Sequence, residues 1–568
     1  MLPKMAHQDG ISKWRSVQFG GIVHTLAAGN GDIWDDCNIV SDNAPVLTTR
    51  EAEHKITTGF HGIYGCLQIG DAETDTIQLG ASAMKYKGVS VTWAFSEMQT
   101  LTPFNYYAVI MPAKRWVRTD VVEIKSAWPQ SANYGDVYCV GTTCKYWDGS
   151  AWQDVGALMG NIEASVTLNV TITDGEYAGV PAEANTINSS TGDFRTSFAA
   201  GDALELSGTA FPTTRTLVVR EVQQRKLVFY EHSFDDEKTS TPKSATIARK
   251  MPDMDWTCVN ESRMWGCKGK TIYASKLADF KNWNVFDGLA SDSYAVDVPG
   301  EGDFTGCVTF MGYPIFFKEA MIYKVYGNRP SNFEVMGSAS TGTVNGKTLA
   351  IANETLFYLS KVGVMQYSGG VPQPISDVLG DIVEPWADAQ AFSDKYRYML
   401  WHGTTSEMLE FDPRKGVWHR QRISGWTGNI SYAWRNTDGA AFVSTTADLW
   451  ARQSGGTTET IPFSVEFADF TEDSSDSPAY GANAKGTGKL QLRLTLGDDS
   501  SAAISMRFDS RGDWLPVKTL ETAVKRSYYL PIIPRRSDHF RIKIEGEGYM
   551  ELYSLSRESY KGSALRTI

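Results

Sequence analysis

The chain has 568 residues, with 54 Lys and Arg against 66 Asp and Glu and a formal net charge of −12. Apolar residues at 42% and aromatics at 12% provide for a sizeable core and exclude wholesale disorder. The acidic balance argues against a dedicated sequence-specific nucleic-acid binder, which carries a basic face, yet suits a passage through which DNA slides without being held.

In chain order, the N-terminal "MLPKMAHQDGISKWRSVQFGG" lacks the continuous apolar segment of a signal peptide, so ordinary secretion is not expected. No apolar stretch approaches the ~18–20 residues needed to span a bilayer, so stable membrane insertion is not expected either. Residues 1–50 read as an arm leading into the first repeats, with "AAGNGDIWDD" as a turn-rich connection. Residues 51–113 hold the first, worn copies of a hairpin, in "GIYGCLQIGDAETDTIQLGASAMKYKGVSVTW".

Between 114 and 250 the repeat breaks, although "GDVYCVGTTCKYWDGSAWQDVG" still resembles a worn copy. Strands are predicted at Val166–Ile172, Ala203–Leu206, Thr216–Val222 and Lys226–Tyr230, a small β-barrel or sandwich inserted in a loop. "WDGSAW" resembles the Asp-box turn, a motif that fixes a hairpin and carries no chemistry.

From 251 to 459 the hairpin is plain. "SRMWGCKGKTIYASKLADFKNWNVF" gives two short apolar runs about a Lys-Gly-Lys turn, and four later segments repeat it, at Ile315–Tyr323, Leu356–Tyr367, Tyr396–Phe411 and Ala441–Trp450. The second strands, anchored on Tyr273, Tyr323, Met365, Leu409 and Trp450, step by about 40–50 residues, the period of four-stranded propeller blades. One small sheet cannot bury both its faces, but radially arranged sheets bury each against the next. From 460 to 568, "GKLQLRLTLGDD" and "AAISMRFDSRGDWLPV" alternate strictly, and "HFRIKIEGEGYMELYSLSRES" reads as a hairpin about Gly546–Gly548. The predicted fold is therefore all-β: a β-propeller of six or seven blades with an inserted β domain and a C-terminal antiparallel β-sandwich.

Chemistry is sparse. The eight histidines show no zinc-binding spacing, and no G-x-S-x-G elbow or P-loop is present. Asp35-Asp36 and Asp235-Asp236 fall in predicted loops without the alternating oxygens of a calcium site. A pair of carboxylates brought together at a propeller mouth could cleave glycans, but nothing marks such a pair out. The seven cysteines include Cys139 and Cys144 about one turn and Cys258 and Cys267 about another; each spacing admits a disulfide, while buried free thiols in a reducing compartment are the expectation. Lys525, Arg526, Arg535, Arg536, Arg541 and Lys543 could meet phosphate, although a solvated strand face or an acidic neighbouring subunit is the expected use. No catalytic, cofactor-binding or metal-binding residue is expected.

The opening "FGGIVHTLAAGNGDIWDDCNIVSDNAPVLTTREAEHKI" resembles that of many phage tail proteins. A pattern S-x-x-x-x-F-x-x-W, a Tyr-rich strand and F-F-K-x-x-x-I-Y is carried here by Ser275, Phe280 and Trp283, then Phe316, Phe317, Lys318, Ile322 and Tyr323. The closing strand pair with its Ser-Arg-Glu is similar too. The chain thus resembles tail nozzle, or packaged-DNA stabilisation, proteins of short-tailed bacteriophages over about two-thirds of its length, least after Lys114. The resemblance implies a structural, non-enzymatic virion tail protein assembled in host cytoplasm. It implies a homo-oligomer, usually a hexamer, docked below the portal and adaptor, with tail fibres or spikes as further neighbours and genomic DNA passing non-specifically through its channel. It singles out no channel-lining or gate residue. The rival is a tail-tip receptor-binding or glycan-binding propeller, with Trp283 or Trp514 stacking on sugar; packing between blades or subunits is the expected use of both rings.

Overall fold

The computed structural model describes residues 11–561 apart from 26, 27, 29, 30, 59–61, 71, 73, 174–184, 231–233, 235, 236, 395, 404–406, 423–428, 436–440, 447, 453–460, 471–484, 534, 535 and 538. The pair Asp235-Asp236 and Arg535 lie outside the described residues. The chain divides into two units: Tyr64–Gly346 with Gly369–Val371, and Met1–Ile63 with Lys347–Ser368 and Pro372–Ile568.

The fold is a β-propeller. Among the described residues, seven four-stranded antiparallel sheets are blades. The first unit holds four of them. Blade I runs from Gly65–Gln68 to Val89–Val91, and blade II takes Thr100–Phe104, Tyr107–Met111, Arg115–Arg118 and Met159–Asn161. Blade III takes Trp256–Asn260, Arg263–Lys268, Thr271–Ala274 and Tyr294–Asp297; blade IV takes Phe304–Phe310, Tyr313–Lys318, Met321–Tyr326 and Glu334–Ser340.

The second unit holds three. Blade V spans Ala350–Ala352 to Gln373–Pro374, and blade VI takes Ala389–Ser393, Tyr398–His402, Glu407–Asp412 and Val417–Arg422. Blade VII joins Ile430–Arg435, Ala441–Thr445 and Asp448–Ala451 to His54–Thr58, so its fourth strand comes from the N-terminal side.

The hairpins legible in the sequence are the second and third strands of blades III to VII. Their visibility has a physical cause. Second strands such as Tyr313–Lys318 and Thr355–Ser360 are buried on both faces, and a strand packed on both sides reads as an unbroken apolar run. Trp265 of blade III meets Phe316 of blade IV at 6.4 Å between ring centroids, and Phe357 of blade V meets Tyr398 of blade VI at 5.4 Å. Three successive blades open with two-residue turns in which both central residues have positive φ: Glu261-Ser262, Met311-Gly312 and Asn353-Glu354. That geometry matches the right-handed twist of the flanking strands.

Two segments interrupt blade II and the passage to blade III. Between the third and fourth strands of blade II, a small sheet is built from Val121–Lys125, Val137–Val140, Thr143–Trp147 and Trp152–Ala157. The segment read as a worn blade copy is this sheet. Its first two strands run parallel, which separates it from the blades. The Asp-box reading of its turn holds: Asp148 accepts the backbone N–H groups of Ser150 and Ala151 and the side-chain amide of Gln153, which holds its carboxyl well below the usual range. Cys139 and Cys144, directly opposed in register, form a disulfide, against the expectation of free thiols; Cys258 and Cys267 remain free.

The second insertion is a closed six-stranded barrel made from Ala164–Thr173, Thr186–Ser189, Ala203–Gly208, Phe211–Val222, Lys226–Phe229 and Thr239–Arg249. The span 114–250 is therefore not one inserted region, since Arg115–Arg118 and Met159–Asn161 are blade strands within it.

The C-terminal sandwich of the second unit recruits N-terminal strands into both sheets. One sheet pairs Ile11–Ser16 and Leu47–Thr49 with Met550–Lys561, which also pairs Lys485–Leu496; the other pairs Ile33–Cys37 with Pro462–Phe467 and continues through Phe540–Glu547 and Ser501–Phe508. The arm is thus part of the sandwich. The predicted hairpin about Gly546–Gly548 is corrected, because Phe540–Glu547 and Met550–Lys561 belong to opposite sheets. Gly546 lies against the Ser501 carbonyl and Gly548 has φ +91°, so the chain crosses where a side chain would obstruct it.

Candidate functional site: a buried charge clasp

The outer strand of a blade is normally half-exposed, yet Trp418, His419 and Gln421 on the outer strand of blade VI are buried. Residues 33–50 cover it. Asp35 and Asp36, predicted in a loop, sit in the strand Ile33–Cys37. Asp36 accepts from the Arg420 backbone at 2.8 Å and from His419 Nδ1 at 2.6 Å, and Asp35 pairs with the Arg420 guanidinium at 3.2 Å.

Asn38 is the hub. Its N–H donates to the Arg420 carbonyl at 2.8 Å, its side-chain carbonyl accepts from Arg422 N at 2.8 Å and from Arg50 Nε at 3.0 Å, and its Nδ2 donates to the Pro462 carbonyl at 2.7 Å. It does so at φ +60°, a conformation Asn tolerates better than most residues. One residue thus ties blade VI to the sandwich.

Behind this strap runs a line of alternating charge. Asp42 pairs with Arg397 at 2.8 Å, Arg397 with Glu410 at 3.0 Å, Arg452 with Glu410 at 3.6 Å, and Arg452 with Glu53 at 3.2 Å. Glu410 belongs to blade VI, Arg452 follows the third strand of blade VII and Glu53 precedes its fourth. Burial pushes the Glu410 carboxyl up, although Arg397 and Arg452 oppose it.

Ser41 Oγ lies 2.7 Å from His419 Nε2, so Asp36, His419 and Ser41 have the connectivity of a hydrolase relay. Their exposures are 1%, 1% and 6%, and a nucleophile works only where substrate can reach it. The trio pins the strap. Burial would push the imidazole down, but the Asp36 carboxylate and its hydrogen bond outweigh that and hold His419 above 6.5. A raised folded-state value gives stability that is fully present below 6.5 and is lost as pH rises through the raised value. Urea unfolding of this unit between pH 6 and 9 should show that loss, and His419→Gln should flatten it.

The residues named from sequence fall elsewhere. Trp283, 1% exposed, donates to the Phe280 carbonyl at 2.7 Å in a core shared by blades II and III. Trp514 lies between Arg507 and Lys543, with charged groups 4.8 and 4.9 Å from its ring. Ser275, Phe280, Phe316, Phe317 and Ile322 are buried, and the Lys318 ammonium donates to the Val298 carbonyl at 3.1 Å.

Several of the C-terminal basic residues have partners within the chain. Arg541 pairs with Asp469 at 2.6 Å and Glu466 at 2.9 Å, Lys543 with Glu545 at 2.9 Å, and Lys525 lies 3.8 Å from the Tyr553 ring centroid. Buried Cys307 is pushed up by burial and by its neighbours Cys258 and Cys267. Among the described residues no group of His, Cys, Asp and Glu could hold a metal ion, and no helix is long and apolar enough to cross a membrane. Sequence reasoning missed the clasp. Its signal was the alternating basic strand "HRQR" at 419–422 and the Asp35-Asp36 pair.

No family model and no curated protein matches the chain. Solved structures do. PorZ of the type-IX secretion system of Porphyromonas gingivalis is 11% identical, with 89% of this chain and 77% of that one covered and a TM-score of 0.24. The extracellular domain of a putative one-component system from B. thetaiotaomicron is 8% identical, covering 90% and 95%, with a TM-score of 0.25. Kluyveromyces lactis Hsv2 is 10% identical, covering 48% and 88%, with a TM-score of 0.24. At such values the likeness carries no argument about function, and the propeller stands on this chain's own sheets.

Proposed function

We propose that this protein is a structural component of a short-tailed phage virion, a tail nozzle ring of six copies below the portal and adaptor that retains packaged DNA and lets it pass at ejection. The reading starts from the resemblance of its N-terminal, central and C-terminal segments to nozzle proteins. The observation that carries it further is the clasp. A part that holds a genome under pressure must transmit load without shearing, and here the sandwich strand Ile33–Cys37 and Asn38 grip blade VI through Asp36–His419 and Asn38–Arg422, while Arg452 and Glu410 join blade VI to blade VII. The barrel and the sandwich add surfaces for lateral contacts in a closed ring. The net charge of −12 suits a conduit that does not trap phosphate.

The test is the mass of the purified particle, alone and mixed with portal–adaptor complex, by native mass spectrometry or electron microscopy. A six-fold ring, or six copies recruited onto that complex, supports the reading. A monomer or trimer that ignores the complex overturns it.

A further inference from the structure

The small sheet inserted in blade II has one face that its own core does not use. Its inner face sends Val121, Val137, Cys139 and Cys144 into the core shared with blades I and II. Strand register then assigns the outer face. Glu123 lies opposite Tyr138, Lys145 opposite Asp154 and Trp147 opposite Trp152. Trp128 joins them from the connection after the first strand. Trp152 is the centre: its ring lies 5.5 Å from Trp128, 5.7 Å from Tyr138 and 5.2 Å from Trp147. All four rings are partly exposed, and Tyr134 beside them is 80% exposed.

A face of this kind fits one class of ligand. Its apolar surface is mainly aromatic, with planar faces flanked by hydrogen-bonding groups, and half-exposed Val140 adds only a small aliphatic area to it. Its charges balance: Lys125 pairs with Glu123 at 3.0 Å, and Lys145 stands opposite Asp154. Nothing on it supplies the net positive field that a nucleic acid or an acidic polysaccharide requires. The Asp148 turn fixes the hairpin that carries Trp147 and Trp152, so the platform is formed before any ligand arrives.

We infer that the outer face of the inserted sheet is a binding platform for a neutral saccharide chain, whose C–H faces stack on Trp147, Trp152 and Trp128 while Lys145 and Asp154 meet its hydroxyls. This inference does not rest on the nozzle reading, because ring mass and sugar binding are measured separately.

The full-length protein is applied to an array of bacterial-surface glycans, and the best-bound glycan is titrated by calorimetry against native protein and the variants Trp147→Ala, Trp128→Ala and Tyr134→Ala. Trp128 and Tyr134 lie outside the sheet strands, so their removal leaves the fold in place; far-ultraviolet circular dichroism checks this for all three. Binding to neutral glycans that weakens about tenfold or more in Trp147→Ala and Trp128→Ala is the expected result, equivalent to about 1.4 kcal/mol. No bound glycan, binding to acidic glycans only, or affinity unchanged in both tryptophan variants overturns the proposal.

Discussion

Replacing Glu410 by Gln should lower the stability of the unit that holds blades V to VII by about 3–5 kcal/mol. Glu410 and Arg452 are buried almost completely, as is Arg397, and the carboxylate stands between the two guanidiniums. Guanidinium groups keep their protons, so removing the carboxylate leaves two like charges facing each other out of water. The midpoint of urea unfolding, followed by tryptophan emission, measures the loss. The combined change Arg397→Met with Glu410→Leu should cost less than Glu410→Gln alone. It removes a charge of each sign and leaves Arg452 its partner Glu53. Equal or larger loss in the double variant would show that the line of charge is not a coupled network.

Trp283→Ala should cost the other unit about 3–5 kcal/mol, through lost burial and the cavity left behind. Its ring fills a core with Phe104, Val109, Met111, Met251, Met264 and Phe280. The loop that carries it also holds the barrel: the Asn282 side-chain carbonyl accepts from Ala203 N at 2.8 Å, its amide donates to Asp202 at 3.2 Å, and Arg249 pairs with Asp202 in turn. Cleavage between barrel and blades by a protease at native conditions should therefore rise in Trp283→Ala. Trp514→Ala, on the surface of the other unit, should leave that cleavage unchanged.

How far the sequence could be read followed burial. Second and third blade strands were legible at Arg263–Ala274, Tyr313–Tyr326 and Thr355–Tyr367, where apolar side chains face neighbours on both sides. Fourth strands such as Val89–Val91 and Gln373–Pro374 are short and exposed, so no periodicity marks them. The inserted sheet passed for a blade because its hairpins carry the same alternation, and the parallel pairing of Val121–Lys125 with Val137–Val140 leaves no local trace. The strap was hidden for two reasons. Turn-forming residues just before Ile33 suggested a loop, and the partners of Asp36 and Asn38 are buried groups on a strand hundreds of residues away. The barrel strands were visible because each alternates, but closure into a barrel depends on the pairing of Ala203–Gly208 with Thr239–Arg249.

The strap also sets a timetable for synthesis. Asp36 meets His419 across 383 residues, and Thr49 accepts from Met550 across 501. At about 5–20 residues per second, the ribosome takes roughly 25–100 s to deliver the last of these partners. Through most of that interval Ile33–Cys37 and His54–Thr58 have been made but lack their partners Pro462–Phe467 and Asp448–Ala451, and Leu47–Thr49 has only Ile39–Val40 to pair with. Blades I to IV draw all their strands from within one continuous stretch and can close as they emerge. The nascent chain therefore carries unpaired strand edges beside finished blades, and the emergence of its final strand, Met550–Lys561, is the event that completes the sandwich sheet holding Ile11–Ser16 and Leu47–Thr49.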